Sequence, residues 1–300
     1  MYRTGKCLWR YFCLAGILLL TSCPQGVDND VGNGGNQTKT FPPVQGSGDL
    51  GVWWWWVDPE DWDSRLDFAA ENGVTEVYFE TGEFDDGTGF FIESARNKGV
   101  KVFYLLGGYT YIWDHTLFAE EVDRFSAYQD SAPENRKFAG LHLDIEPHQH
   151  PDFDAGNMTF FQDFLDFAVW VCDTYKSAGI SIDLDIPAWF NQEIDYRGEK
   201  RILHEALIIE ADRIFVMSYR DNAEGIYETA REEIGFAKSL GKQIILCVET
   251  GRVDEEPGIS FYGRPVSYFY GELEKLYNLV DYDNYGLSIH HISSWQAMEN

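Results

Sequence analysis

Positively charged residues are scarce in this 300-residue sequence, and their scarcity limits what the protein can bind. The chain has 23 Lys and Arg against 50 Asp and Glu, which gives a formal net charge of −27 at pH 7. A field of this sign repels the phosphates of nucleic acids and of anionic lipid headgroups. We therefore predict no nucleic-acid partner, whereas neutral glycans and cationic polymers are compatible with the charge.

Cysteines and long apolar runs are also few. Cys7, Cys13 and Cys23 lie near the start of the chain, while Cys172 and Cys247 fall within apolar helix and strand patterns. This distribution predicts no disulfide framework. Beyond the start of the chain, no stretch reaches the roughly 18 continuous apolar residues that a membrane-spanning helix needs. Any membrane association is therefore predicted to come from the amino end.

The first 22 residues have the pattern of a secretory signal. A basic start is followed by an apolar stretch from Tyr11 to Leu20 and by the tetrapeptide LTSC, which ends at Cys23. That tetrapeptide resembles a bacterial lipobox, in which the Cys becomes the lipidated first residue. We predict a signal peptide over residues 1–22 and a lipid anchor at Cys23 that holds the exported protein to the bacterial cell envelope, at the outer membrane or the cell surface. An ordinary signal peptide or a short buried helix is the alternative.

Residues 23–49 and 50–300 differ in composition and pattern. The first segment is rich in Gly, Asn, Asp, Gln and Pro and is predicted to be a flexible tether. The second alternates apolar runs with amphipathic segments, at about 30 residues per unit, which predicts an α/β fold, a single-domain (β/α)8 TIM barrel. Only five residues follow Trp295, so the eighth helix is predicted to be minimal or missing. The predicted strands cover residues 51–57, 74–80, 100–106, 139–146, 180–186, 212–219, 243–249 and 285–291, and the predicted helices cover residues 59–72, 89–98, 116–130, 156–178, 199–208, 223–240 and 266–279.

The fourth predicted strand alternates apolar and ionisable residues. Every second residue from Leu141 to Ile145 is apolar, and His142, Asp144 and Glu146 occupy the opposite face. Placing such a row of ionisable groups inside a barrel costs several kcal/mol unless each group is hydrogen-bonded or faces a wet cleft. The pattern therefore predicts a functional site, with a solvated strand edge as the alternative.

Barrel enzymes carry their chemistry at the carboxyl ends of the strands, and several other predicted strands end in polar or aromatic residues. Four consecutive Trp occupy positions 53–56, and alternation sends two of them inward. We expect Trp54 or Trp56 to reach the barrel mouth, with a purely structural role for all four as the alternative. Further candidates at strand ends are Tyr78, Asp185, Trp189, Glu249, His290 and Trp295.

Three motifs resemble those of the family 18 glycoside hydrolases, the chitinases and endo-β-N-acetylglucosaminidases. The fourth-strand pattern D-x-x-D-x-D-x-E of that family corresponds to AGLHLDIE at 139–146, in which Ala139 and His142 replace the first two acids. The third-strand pattern S-x-G-G corresponds to LLGG at 105–108, and the sixth-strand pattern M-x-Y-D corresponds to MSYR at 217–220, with an acid one place later at Asp221. The likeness spans most of residues 100–295.

The resemblance implies a glycan substrate that contains N-acetylhexosamine. In that family the Glu is the general acid and the substrate's own N-acetyl oxygen is the nucleophile. The resemblance assigns these roles to Glu146 as the acid, Asp144 as the group that orients the acetamide, and Tyr219 as a hydrogen-bond donor to the forming ring. Trp295 resembles the Trp that floors the sugar site next to the cleaved bond. The residues predicted to contact the glycan are Trp56, Tyr78, His148, Asp185, Trp189, Met217, Arg220, Asp221, His290 and Trp295.

A second enzymatic interpretation uses Glu249. Glu146 at the end of strand four and Glu249 at the end of strand seven occupy the acid and nucleophile positions of barrel glycosidases that retain configuration through a covalent intermediate. That mechanism needs the two carboxyl groups about 5–5.5 Å apart. A structural role for Glu249, as an ion-pair partner of Arg220 or Arg252, is the alternative.

Two further function classes are compatible with the sequence. A lipid-anchored glycan-binding protein without turnover is supported by Ala139 and His142, which depart from the hydrolase motif. The His, Asp and Glu residues between His142 and His150 suggest a metal site, but a strand arranges them in a line instead of converging them on one ion. We therefore predict no metal and no cofactor.

Overall fold

The computed structural model describes residues 48–55, 57–253 and 257–298. The predicted signal peptide, the lipidation site at Cys23, most of the predicted tether and Trp56 lie outside the described residues. Within the described part of the chain, no helix is long and apolar enough to cross a membrane.

Eight parallel strands form a closed barrel, as the alternating sequence pattern predicts. In chain order the strands are β1 (Leu50–Trp54), β2 (Glu76–Phe79), β3 (Lys101–Gly107), β4 (Leu141–Asp144), β5 (Ile182–Pro187), β6 (Glu193–Tyr196), β7 (Glu199–Ile202), β8 (Arg213–Met217), β9 (Ile244–Glu249) and β10 (Tyr285–His290). The barrel order is β1-β10-β9-β8-β5-β4-β3-β2, and β6 pairs with β7 outside the barrel. The carboxyl ends of all eight barrel strands therefore meet at one opening, which we call the mouth.

Nine helices lie within the described residues. They are α1 (Trp62–Glu71), α2 (Asp86–Asn97), α3 (His115–Ser131), α4 (Met158–Tyr175), α5 (Leu203–Glu210), α6 (Ala223–Thr229), α7 (Arg231–Leu240), α8 (Val266–Leu279) and α9 (Ile292–Met298). The helix predicted over residues 223–240 is two helices that meet at Ala230. The eighth barrel helix is minimal, as predicted, because α9 has only seven residues.

The β6–β7 hairpin corrects one sequence prediction. Residues 199–208 were expected to form one helix, but α5 begins at Leu203 and the residues before it form β7. Arg197 and Gly198 both have positive φ, 49° and 89°, which is the backbone of a two-residue hairpin turn. In β6, Ile194 and Tyr196 are buried while their neighbours are exposed, a period of two that favours a strand over a helix.

The barrel strands bury both of their faces, in two separate cores. Leu141 and Leu143 of β4 belong to the large core between strands and helices, and Trp54 joins them there with its ring centroid 5.1 Å from that of Phe91. Trp53 and Trp55 instead belong to the small core inside the barrel. Trp54 therefore does not reach the mouth, because β1 turns its odd-numbered residues inward, and Trp56, the other residue of that prediction, lies outside the described residues.

Gly51 is the inward residue at the start of β1, and it leaves room for the ring of Tyr78. A Cβ at position 51 would lie 2.1 Å from the Tyr78 hydroxyl oxygen. We expect Gly51→Ala to lower the free energy of unfolding by about 1–3 kcal/mol, because the fully buried Tyr78 ring has no space to move. Thermal unfolding measures this effect. The matched control is Gly235→Ala in α7, where a Cβ meets nothing within 4 Å and should stabilise the helix by about 0.5–1 kcal/mol. An unchanged melting temperature for Gly51→Ala would contradict this packing.

Candidate active site

The end of the barrel interior opposite the mouth holds a layer of buried charges. Arg213 of β8 donates hydrogen bonds to both oxygens of Asp183 at 2.8 and 2.5 Å and to Glu76 Oε2 at 2.7 Å. Lys101 Nζ lies 3.3 Å from Glu76 Oε1. Burial alone would raise the pKa of Asp183, but Arg213 and His142 hold it below the usual value. These groups pair with one another through hydrogen bonds and opposite charges. We call this layer the floor of the barrel.

His142 lies next to this floor and is completely enclosed. Its imidazole stacks on the ring of Tyr78, with centroids 4.0 Å apart. Its Nε2 lies 2.9 Å from Asp185 Oδ2, and its Nδ1 lies 3.9 Å from Asp183 Oδ2. Burial opposes a charge on the ring, but the Asp185 and Asp183 carboxylates outweigh it and raise the pKa of His142. His142 therefore lies between two carboxylates of β5, hydrogen-bonded to Asp185, while its Nδ1 is too far from Asp183 for a hydrogen bond.

Asp144 ends β4 at the mouth, beside Gly107 of β3 in the strand register. Burial, and then the Asp185 and Glu146 carboxyl groups, hold the pKa of Asp144 well above the usual aspartate value. Its Oδ1 is buried, with no hydrogen-bond partner among the described residues. Asp144 is therefore a carboxyl group that tends to keep its proton and has a free oxygen at the mouth.

Glu146 follows β4 at the rim of the mouth. Its Oε1 lies 3.3 Å from His148 Nε2, and the side-chain amide of Gln149 donates a hydrogen bond to its Oε2. The preceding Ile145 points into the outer core, so the alternation predicted from the sequence continues through this residue. Glu146 is thus accessible from the mouth, with Asp144 next to it on the same side.

Glu249 and His290 form the opposite wall. They are neighbours across the β9–β10 register, and His290 Nδ1 lies 2.6 Å from Glu249 Oε2. Burial opposes a charge on His290, but Glu249 outweighs it and raises the histidine pKa. Glu249 also accepts a hydrogen bond from the backbone N–H of Gly251. Glu249 therefore has His290 as a partner, while Arg220, one of the two arginines considered from the sequence, bonds to the carbonyl oxygen of Tyr219.

Tyr219 lies between the two walls. Burial, and then the negative charge of Glu249, raise the pKa of its hydroxyl well above the usual value, and Asp144 and Asp185 add to the effect. The Tyr219 ring centroid is 6.3 Å from that of His290. The hydroxyl is therefore a stable hydrogen-bond donor among the acidic groups at the mouth.

Trp53 and Trp55, which are not among the site residues predicted from the sequence, line the interior below these groups. The Trp53 ring contacts His142 and His290 edge-on, with centroid distances of 5.6 and 5.7 Å. The Trp55 ring lies against Gly107, where a Cβ would be 3.3 Å from it. The run of four Trp in the sequence indicates that some of them face the barrel interior. Which ones do so depends on which side chains of β1 point inward, and this is seen only in the structure.

A row of aromatic rings extends outward from Glu146. His148 contacts Trp189, which is 41% exposed, with centroids 5.4 Å apart. Phe153, Phe160 and His150 continue the row in steps of 6.2, 5.3 and 5.5 Å. It ends at Trp113, which is 42% exposed and 4.9 Å from His150. The strand-end patterns of the sequence predict His148 and Trp189 at the rim, but they do not reveal Trp113, because Trp113 comes from the loop after β3.

Several predicted contact residues lie elsewhere. Trp295 is fully buried in the outer core, 5.0 Å from Phe68, so its predicted role as a sugar platform is wrong. Tyr78 is fully buried beside His142 and is out of reach of a substrate. Asp221 is buried and pairs with Arg264 instead of facing the mouth.

Three other predicted contact residues lie near the mouth but do not point freely into it. Arg220 folds back to donate a hydrogen bond to the carbonyl oxygen of Tyr219 at 2.7 Å. Met217 is half-buried at the end of β8 beside Pro187. Asp185 lies in the site but is buried behind Asp144, so it acts on neighbouring groups and does not contact a substrate. Trp56 lies outside the described residues.

No group of three or more His, Cys, Asp and Glu within the described ranges is arranged to hold a metal ion. The ionisable groups at the mouth are held by one another, through the His142–Asp185 and His290–Glu249 pairs. This arrangement suits proton transfer between carboxyl groups and a bound substrate.

Unfolding should become easier as the pH rises above neutrality. The pKa values of His142 and His290 are raised in the folded protein, so these two side chains hold their protons more tightly in the folded chain than in the unfolded chain. The stability they provide is fully present below the unfolded histidine pKa of about 6.5 and is lost as the pH rises through the folded values. His204 and His291 have lowered pKa values and oppose folding only below that unfolded pKa. The melting temperature should therefore be lower at about pH 9 than at about pH 7. A melting temperature that is constant or rises over this range would contradict the paired-imidazolium arrangement.

Several solved structures share this barrel fold. A family 18 chitinase from Pseudoalteromonas aurantia matches with a TM-score of 0.53 and 14% identity, covering 84% of this chain and 99% of that chain. A chitinase from Chromobacterium violaceum matches with a TM-score of 0.51 and 11% identity, covering 84% and 98%. A family 17 β-1,3-glucanosyltransferase from Rhizomucor miehei matches with a TM-score of 0.50 and 14% identity, covering 81% and 86%. At these identities the likeness shows a shared fold, and it confirms the TIM barrel and its similarity to the family 18 barrel.

Sequence comparisons give no such relatives. No protein-family model matches the chain, and no curated protein matches it.

Proposed function

We propose that the protein is a glycoside hydrolase in which Glu146 is the general acid. The observation that carries this proposal is the Asp144–Glu146 pair. The two carboxyl groups lie together at the mouth, and one of them has a strongly raised pKa and a free buried oxygen. Protonation of a glycosidic oxygen requires a carboxyl group within reach of the bound glycan, and Glu146 is the member of the pair at the rim of the mouth. The shared fold of the two chitinases supports the same reaction class.

The proposed substrate is a glycan with an N-acetylhexosamine at the cleaved bond. Glu146 gives its proton to the glycosidic oxygen, and the C–O bond breaks as the acetamide oxygen of the substrate attacks the anomeric carbon. Asp144 accepts the amide N–H and Tyr219 donates to the acetamide oxygen. Water then opens the cyclic intermediate, with the Glu146 carboxylate taking the proton that it later gives to the next substrate.

Glu249 serves in this proposal as the counter-charge of His290. A nucleophilic carboxylate needs a free oxygen aimed at the anomeric carbon, whereas both Glu249 oxygens are engaged, by His290 and by the Gly251 N–H. These contacts favour substrate assistance over the two-carboxylate mechanism.

The decisive experiment is hydrolysis of aryl glycosides and N-acetylated oligosaccharides by the full-length protein, with and without a thiazoline mimic of the cyclic intermediate. Substrate assistance predicts inhibition by the thiazoline and hydrolysis only of N-acetylated sugars. Glu249→Gln should retain most activity in that case. Hydrolysis of sugars without an acetamide, together with loss of activity in Glu249→Gln, would instead establish the two-carboxylate mechanism. Binding without turnover on every sugar would identify a glycan receptor.

The aromatic row supports a glycan of several sugars, since its exposed members Trp189 and Trp113 can each stack on a sugar face. We expect Trp189→Ala to raise KM for an oligosaccharide about 10-fold, the equivalent of about 1.4 kcal/mol of lost binding, with little change in kcat. The matched control is Phe90→Ala, because Phe90 is an exposed aromatic on α2, stacked on Arg136. An equal effect of both substitutions, or no effect of Trp189→Ala, would rule out this ring as a platform.

We further propose that the barrel is exported and lipid-anchored at Cys23, as the LTSC tetrapeptide suggests. Metabolic labelling with a palmitate analogue should mark the wild type and not Cys23→Ala. The labelled protein should partition into detergent, whereas Cys23→Ala should be found in the aqueous phase. Labelling of both forms would contradict the assignment of the anchor to Cys23.

A further inference from the structure

Trp113, at the outer end of the aromatic row, is carried by a backbone that is fixed on both sides. A single helical turn, Tyr109–Ile112, precedes it, and the Trp113 N–H donates to the Thr110 carbonyl oxygen at 3.2 Å. The next residue, Asp114, caps α3 by accepting a hydrogen bond from the Leu117 N–H at 3.0 Å. The freedom that remains at this position is therefore rotation of the indole side chain.

The indole of Trp113 is held by Asp163, which lies on α4. Its N–H donates a hydrogen bond to Asp163 Oδ2 at 2.7 Å, between residues 50 positions apart in the sequence. Asp163 is half-buried, and no Lys or Arg among the described residues pairs with its carboxylate. A hydrogen bond to an ionised acceptor is roughly twice as strong as one between neutral groups. The contact therefore fixes the direction in which the indole points.

The rings beside Trp113 support the indole without stacking on it. The Phe160 centroid lies 5.7 Å away with 89° between the ring planes, and the His150 centroid lies 4.9 Å away with 68° between the planes. Neither ring lies parallel to the indole, and Trp113 remains exposed to solvent. An exposed ring that is already oriented can stack on a sugar without the loss of side-chain entropy that ordering a mobile ring requires.

Trp113 lies several ring contacts away from the proposed acid. Three ring-to-ring steps, of 5.7, 5.3 and 6.2 Å, connect it to Trp189, and Trp189 contacts His148, which lies beside Glu146. Trp113 and Trp189 follow β3 and β5, which lie on opposite sides of β4 in the barrel. A short glycan bound at Glu146 and Trp189 therefore ends before Trp113, and a longer chain is needed to reach both rings.

We propose that Asp163 is a positioning residue that gives the protein its preference for long glycans, because it holds Trp113 ready to stack on a sugar distant from the cleaved bond. The inference rests on the proposed function, since it concerns the chain length of the same glycan. Without its acceptor, the indole would rotate freely and would have to be ordered when the glycan binds. Asp163 removes this cost for the distant sugar and has no part in the chemistry at the mouth.

The test compares two substrates of the full-length protein, the β-1,4-linked N-acetylglucosamine hexasaccharide and an aryl glycoside of the disaccharide. In Asp163→Ala, KM for the hexasaccharide should rise about 2- to 10-fold relative to KM for the shorter substrate, because Trp113 must then be ordered on binding. Asp163→Asn keeps an oxygen that accepts from the indole N–H and should retain the wild-type preference. An equal loss on both substrates, or a loss in Asp163→Asn as large as in Asp163→Ala, would overturn the proposal.

The matched control is Asp166→Ala, which removes an exposed carboxylate one turn further along α4. Asp166 accepts a hydrogen bond from Gln162 at 3.0 Å and contacts no ring of the aromatic row. It should leave the ratio of the two KM values unchanged. A change in this ratio equal to that of Asp163→Ala would mean that loss of any nearby negative charge is sufficient, and it would overturn the positioning role.

Two further measurements link Asp163 to the Trp113 ring. Trp113→Phe keeps a ring but lacks the N–H, so Asp163→Ala should have no additional effect on the KM ratio in that background, and additive effects would overturn the proposal. Nitrogen-15 relaxation of the Trp113 indole N–H, assigned with Trp113→Phe, reports its mobility. The order parameter should fall in Asp163→Ala and not in Asp163→Asn. An order parameter unchanged in Asp163→Ala would also overturn the proposal.

The outcomes separate this inference from the proposed function. Hydrolysis with the same chain-length preference in the wild type and Asp163→Ala would overturn the inference alone. If no glycan is hydrolysed, the proposed function fails, and calorimetric dissociation constants of the hexasaccharide and the disaccharide then replace KM in deciding the role of Asp163. Absence of both turnover and binding would overturn both.

Discussion

Glu146→Gln should abolish hydrolysis while leaving glycan binding intact. The amide has the size and shape of the carboxyl group but no acidic proton, and general acid catalysis is worth about 100- to 10,000-fold. We expect kcat to fall about 1,000-fold and the dissociation constant of an oligosaccharide to stay constant or fall. Initial rates and isothermal titration calorimetry measure the two quantities. An aryl glycoside with an acidic leaving group should lose less activity, because its departure needs less protonation.

The control for this substitution is Glu274→Gln, which removes one negative charge from an exposed position on α8. It should keep wild-type rates. Comparable rates for Glu146→Gln and the wild type would exclude Glu146 as the acid. Loss of both binding and turnover with an unchanged melting temperature would mean that Glu146 holds the glycan instead of protonating it.

Arg213→Met should have the largest effect on stability. The guanidinium is the shared partner of Asp183 and Glu76, both fully buried. Removing one member of a buried ionic group leaves the others uncompensated and costs about 3–5 kcal/mol. For a domain of this size, such a loss lowers the melting temperature by about 10 °C.

A second set of variants separates the loss of charge from the loss of volume. Arg213→Met combined with Glu76→Gln and Asp183→Asn removes the unpaired charges and should recover much of the stability. Arg231→Met is the matched control, because Arg231 and its partner Glu228 are largely exposed, and such pairs contribute about 0–1 kcal/mol. A melting temperature for Arg213→Met equal to that of Arg231→Met would contradict the buried charge layer.

The sequence predicts the barrel well, because strand and helix patterns alternate in units of about 30 residues. It also predicts the β4 side of the site well, because polar and apolar residues alternate along that strand with a period of two. Alternation correctly places His142, Asp144 and Glu146 on one face. It does not say which face points inward, because both faces of a barrel strand are buried. That ambiguity is why the sequence leaves Trp54 as a candidate for the mouth, although its outward position is as apolar as the inward position of Trp53.

Other parts of the site depend on contacts between distant segments. The pairing of Glu249 with His290 follows from the register of β9 and β10, and the burial of Trp295 follows from the packing of α9 against α1. Neither is encoded in local spacing. The aromatic row likewise joins Trp113, which follows β3, to Trp189, which follows β5, and its continuity appears only once the barrel has brought those loops together.

The closed charge layer beneath His142 also determines how the barrel interior exchanges with solvent. Arg213, Glu76 and Asp183 seal the end of the barrel opposite the mouth, and Trp53, Tyr78 and Phe215 fill the space beside them. The barrel interior is therefore closed at this end. His142 is fully buried, so its ring N–H proton has no local route to water. In deuterated solvent it should be among the slowest protons of the protein to exchange, at a rate set by opening of the whole barrel.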